Sequence, residues 1–135
     1  MNLNKTFLTL GLAATLLQMP ASSFAQNAGG NRQNPLLVKS SLPFGAPDFS
    51  KIQESDYLPA IETAIKEQRA NIQKIVNNKK KPTFQNTILA YENSGMLLER
   101  VSSVFFGLTS AHKTPGIADT QKKVMPLLTN LDNEI

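Results

Sequence analysis

The chain has 135 residues, 41% of them hydrophobic, and a formal charge of +4 at pH 7. It holds no cysteine and a single histidine, which excludes disulfides, thiol catalysis, cysteine-based metal sites and a lipid anchor on cysteine. So small a basic excess, with no basic stripe, argues against nucleic acid as a partner.

Residues 1–25 have the order of a secretory signal peptide. Lys5 supplies the positive charge, Phe7 to Leu17 (FLTLGLAATLL) the apolar run, and Ser23 and Ala25 the small residues before a cleavage point. The run is too short to span a bilayer, so no stable membrane anchor is expected. Cleavage after Ala25 removes Lys5 and brings the charge from +4 to +3. Export of this kind predicts a secreted, periplasmic protein.

Residues 26–54 read as a flexible leader followed by a Pro-rich strap. QNAGGNRQN, from Gln26, is polar and Gly-containing. Pro35, Pro43 and Pro47 then exclude a regular helix, because proline fixes φ and biases the preceding residue toward extended geometry. Leu36, Leu37, Val38, Leu42, Phe44 and Phe49 are apolar nonetheless. The expectation is an extended strap laid over a helical body. Leu42, Phe44 and Phe49 are its expected anchors, each contributing roughly 1.5–3 kcal/mol if fully buried.

Residues 55–135 are expected to be helical. A first helix should open at Ser55 or Asp56, with Pro59 tolerated in its first turn. Leu58, Ile61, Ala64, Ile65, Ile72, Ile75 and Val76 follow helical spacing, with Gln68 as the one polar gap. Glu62 and Lys66 stand four apart in the favourable order. Asn77, Asn78, Lys79-Lys80-Lys81 and Pro82 close the helix, and the lysine triplet reads as a solvated loop. Thr83 caps a second helix carrying Phe84, Ile88, Leu89, Tyr91, Leu97, Leu98, Val101, Val104, Phe105 and Leu108, with Gly95 as a break, kink or close approach. Pro115-Gly116 should end it. A third helix should open at Ile117 or Asp119, facing inward with Val124, Leu127, Leu128 and Leu131. Pro126 inside that pattern predicts a kink or a later start. The helical pattern still runs at Ile135, which leads to the expectation of a longer natural protein.

A search for chemistry yields no catalytic, cofactor-binding or metal-ligating residue. His112 has no second histidine to pair with, and zinc hydrolases use three protein ligands. Neither a phosphate loop nor a nucleophile elbow is present. Ser102 and Ser103 lack a base at helical spacing. Glu92 and Glu99 read as surface residues pairing with cations such as Arg100, and Phe105-Phe106 as core.

One stretch is more specific than composition. NPLL at Asn34 to Leu37, LPFGAPDFSKI at Leu42 to Ile52, DYLPAIETAI at Asp56 to Ile65 and PTFQNTILAYENSGMLLERVSSVFFGLTSA at Pro82 to Ala111 together resemble the thimet-oligopeptidase class of zinc metallopeptidases, in its bacterial peptidyl-dipeptidase (dipeptidyl carboxypeptidase) branch. The resemblance implies an all-α chain: the N-terminal part of a large, two-lobed helical peptidase, forming one wall of a deep channel. It implies zinc held by H-E-x-x-H and a downstream Glu, none of which occurs here, and release of C-terminal dipeptides from short peptides. The implied partners are the remainder of the same polypeptide and peptide substrates, and this chain by itself is expected to be inactive. Helices made to pack on a missing body would leave it partly molten or self-associating. The rival reading is a small non-enzymatic helical binding protein of the cell envelope, using the Phe44, Phe49 and Phe105 surfaces.

Overall fold

The computed structural model describes residues 32–135. The signal peptide of residues 1–25 and the leader up to residue 31 lie outside the described residues. Those described are helical, with no strand among them. Two short 3-10 turns, Pro35–Leu37 and Pro43–Gly45, lead into α1 (Glu54–Val76). A composite helix follows, made of a π-wound stretch (Phe84–Leu89), α2 (Ala90–Glu92), a 3-10 turn (Asn93–Gly95) and α3 (Met96–Ala111). The last element is α4 (Pro115–Glu134).

The strap departs from the extended form in both turns, because a proline at the first position of each presets φ for coiling. Its anchors are also different. Leu42, Phe44 and Phe49 are 41%, 108% and 57% exposed, whereas Leu36 is 5% exposed and inside the core. Polar contacts explain the choice. Asn34 Oδ1 accepts from Leu36 N at 3.0 Å, Asn34 Nδ2 donates to the Asp56 carbonyl at 2.8 Å, and Arg100 donates to the Leu36 carbonyl at 3.2 Å. These bonds fix the strap at its beginning, and the later aromatics are left facing solvent.

α1 begins a little earlier than its capping candidates suggest. Gln53 is the N-cap, and Asp56, at the third helical position, accepts from Gln53 N at 2.8 Å and from Arg32. Pro59 therefore lies in the second turn, and the hydrogen bond it forfeits leaves the carbonyl of exposed Ser55 to water. Tyr57, Ala60, Ile61, Ala64 and Ile65 form the buried stripe. Beyond them burial fades, and Val76, expected on the same face, is 69% exposed.

The second helix opens at Thr83 as read from the sequence. Thr83 Oγ1 accepts from Asn86 N at 3.2 Å, and Asn86 Oδ1 returns the bond from Thr83 N at 2.8 Å. The hydrogen-bond register then changes from π to α to 3-10 before α3 settles. Gly95 sits at the last change for a packing reason. A Cβ there would lie 3.0 Å from the Gln68 side chain, so the one polar residue of the α1 stripe meets the one glycine that leaves it room.

α4 begins at Pro115, ahead of the expected Ile117 or Asp119. Thr114 caps it, accepting from Ile117 N at 3.1 Å while donating to Glu54 Oε1 at 2.6 Å. Pro115-Gly116 thus opens a helix rather than ending one, since proline is preorganised for a first helical position. Pro126 causes no break in α4. It is exposed, and the carbonyl it leaves unbonded, that of Lys122, also belongs to an exposed residue.

α1 packs against both α3 and α4. Tyr57, Ile61, Val101, Phe105, Ile117, Val124 and Leu131 are each at most 2% exposed. The rings of Tyr57 and Phe105 meet with centroids 5.3 Å apart, close enough for a favourable tilted pair. At the rim, Arg69 grips Glu134 with two bonds of 2.6 and 2.8 Å, tying the middle of α1 to the end of α4.

Candidate functional site

The residues with chemical potential are scattered. His112 is exposed, just past the last turn of α3, where its N–H bonds the Leu108 carbonyl at 2.7 Å. Among the described residues no group of three His, Cys, Asp or Glu could hold a metal ion. Ser102 Oγ is buried without a partner and Ser103 is exposed. Glu92 and Glu99 are exposed, and the expected pairing with Arg100 does not form, because Arg100 turns to the Leu36 carbonyl. Glu62 and Lys66 are likewise not among the ion pairs of the described residues. Lys79, Lys80 and Lys81 are exposed, as a solvated loop requires.

The electrostatics follow local pairs. The Lys51 ammonium, 2.8 Å from Asp48, holds that carboxyl below its usual range, helped by the Ser50 hydroxyl, and is itself raised by the same contact. Lys122 lowers Asp119 in the same way. Burial raises the Tyr57 phenol, with the Asp56 and Glu54 charges acting in the same direction. Among the described residues these shifts follow from local ion pairs, a neighbouring hydroxyl and burial.

What the surface offers is shape and apolar area. A cleft of about 270 Å³ separates the strap from α3, lined in part by Leu36, Val38, Asp48, Lys51, Arg100 and Val104. Next to it lies an open apolar groove of about 640 Å³ that includes Pro47, Phe49, Gly107 and Leu108. A second apolar region follows the π-wound stretch, where Phe84, Ile88, Leu89, Tyr91 and Met96 are 44% to 63% exposed. The binding surface read from the sequence needs one correction: Phe105 is fully buried against Tyr57 and reaches no surface. The exposure of Phe44 was not legible in the sequence, because exposure is set by which part of the strap the helices hold.

No family model matches the chain. Among characterised proteins it is 42% identical over 102 residues to a dipeptidyl carboxypeptidase of Salmonella typhimurium and 43% identical over 102 residues to one of Escherichia coli. It is 29% identical over 96 residues to oligopeptidase A of Escherichia coli. The first two matches take in 76% of this chain but 15% of the relative, and the third 71% and 14%. The chain is thus homologous to these peptidases over about three quarters of its length and spans about a seventh of theirs.

Proposed function

From this homology to the dipeptidyl carboxypeptidases, we propose that the chain is the N-terminal helical unit of a secreted, periplasmic peptidyl-dipeptidase. The complete enzyme releases dipeptides from the C-termini of short peptides. This unit supplies part of the wall that admits them and takes no part in the bond cleavage. The observation that carries the reading is the 42–43% identity over 102 residues. The helical architecture of the described residues agrees with a wall.

Zinc, expected in the complete enzyme, does not fit the described residues. His112 is the sole histidine of the chain, and no group of three candidate ligands surrounds it.

The test is to read the coding sequence beyond the Ile135 codon and to assay the chain. An open frame encoding H-E-x-x-H with a downstream Glu supports the reading, as does a purified 135-residue chain that releases no dipeptide with zinc supplied. Peptide hydrolysis by that chain, or an immediate stop codon with the short protein made in cells, overturns it. Fractionation of cells making the protein, with its N-terminus read, tests export: a periplasmic product starting at Gln26 is expected.

One observation favours a second reading, the helical binding protein of the envelope: the core closes without help, with seven large side chains fully buried. In that case Phe44 and Phe49 remain as binding residues and Phe105 does not.

A further inference from the structure

The Pro43–Gly45 turn and the outer side of α3 present two anomalies on one face. Phe44 holds φ 60°, followed by Gly45 at φ 70°. A bulky side chain is a rare occupant of that region, yet the turn is fixed by hydrogen bonds from Gly45 N to Leu42 O at 3.0 Å and from Ala46 N to Pro43 O at 3.2 Å. The ring gains no packing in return, being fully exposed. Strain of this kind is retained where a surrounding contact repays it. The second anomaly is Gly107. It lies inside α3, where glycine weakens a helix, and a Cβ there would meet nothing within 4 Å. Neither the winding of α3 nor its packing within the chain asks for glycine. It lies in the groove beside the turn, with Pro47, Phe49, Val104 and Leu108.

We infer that this face is a knob-and-groove seat for a helix of the remaining peptidase polypeptide. Phe44 enters an apolar pocket on that body, and a helix of the body lies in the groove, approaching α3 closely over Gly107. A preorganised aromatic and an open apolar channel are what such an anchor needs. The occupant follows from length. The matched relatives carry the homologous segment on a polypeptide of which it is 15%, so in them most of the chain is available to cover it. This inference rests on the functional reading above.

The test is a chimera: Escherichia coli dipeptidyl carboxypeptidase carrying residues 34–135 of this chain in place of its matched segment. Phe44→Ser and Gly107→Leu are made in the chimera and in the isolated 135-residue chain. The unsubstituted chimera should be a soluble peptidase. Each substitution should lower the yield of soluble, active chimera about tenfold or more, the scale of a lost hot spot, while leaving the thermal transition of the isolated chain unchanged or higher. An active parent chimera with both variants equal to it overturns this inference and leaves the functional reading standing. An insoluble or inactive parent chimera removes the functional reading, and the docking with it. If the isolated chain sediments as a dimer that Phe44→Ser dissociates, the occupant is a second copy and the inference fails.

Discussion

At the scale of single residues, burial separates side chains that composition leaves equivalent. Phe44, Phe49 and Phe105 are all apolar aromatics, but only Phe105 is enclosed by α1 and α3. Phe105→Ala should cost about 3–5 kcal/mol, read by urea unfolding of the 135-residue chain; a loss under about 1 kcal/mol would mean the ring is not in the core. Phe44 stands at the other extreme, holding a left-handed backbone that costs about 1–2 kcal/mol. Gly116 shows a subtler constraint. A Cβ there would collide with the Glu54 carboxylate, which sits at the start of α4 and accepts from Thr114. A carboxylate at a helix N-terminus contributes about 0.3–1 kcal/mol. Glu54→Ala should lose about that much in the native chain and almost nothing in a Gly116→Ala background, where the carboxylate is already displaced. Additivity of the two changes in a double-mutant cycle would refute the contact.

At the scale of elements, local chemistry decided most helix starts. Thr83 and Thr114 each accept a backbone N–H of the first turn, and Asp56 closes a capping box on Gln53. The same rules misplaced α4, because Pro115-Gly116 reads equally as a stop and as a start. The Glu54 carboxylate at that end favours the start. Pro126 was expected to kink or delay the helix, yet α4 runs through it with an exposed ring and an exposed carbonyl. The lost hydrogen bond is still a cost, so Pro126→Ala should stabilise the chain, by up to about 3 kcal/mol. Circular dichroism would show a higher melting temperature; an unchanged or lower one would mean that proline is adapted to a bend there.

For the whole molecule, the core argues against a partly molten chain. α1, α3 and α4 enclose a continuous apolar cluster, and Arg69–Glu134 and Thr114–Glu54 link elements distant in sequence at its two ends. The 135-residue chain should therefore unfold in one cooperative transition, with the same midpoint by circular dichroism and by tyrosine fluorescence. Non-coincident transitions, or strong binding of a hydrophobic dye at neutral pH, would restore the molten expectation. The apolar surface that remains is concentrated on the strap turn, the α3 groove and the π-wound stretch. Its exposed residues lie outside the cluster that α1, α3 and α4 enclose.

The sequence by itself determined the helical class, the three long helices, the cap at Thr83 and the kinship with peptidases, because these are carried by residue order along the chain; it put the cap of α1 at Ser55 or Asp56, where the structure has Gln53. It also excluded disulfides and an H-E-x-x-H motif, since one histidine and no cysteine can be counted directly. Only the tertiary structure decided which apolar residues are inside. Leu36 rather than Phe44 anchors the strap because Asn34, Asp56 and Arg100 hold that part of it, and Gln68 faces Gly95 because α1 and the 3-10 turn pass there. Those outcomes rest on contacts between residues 20 to 65 positions apart, and periodicity along one helix carries no information about what lies opposite it.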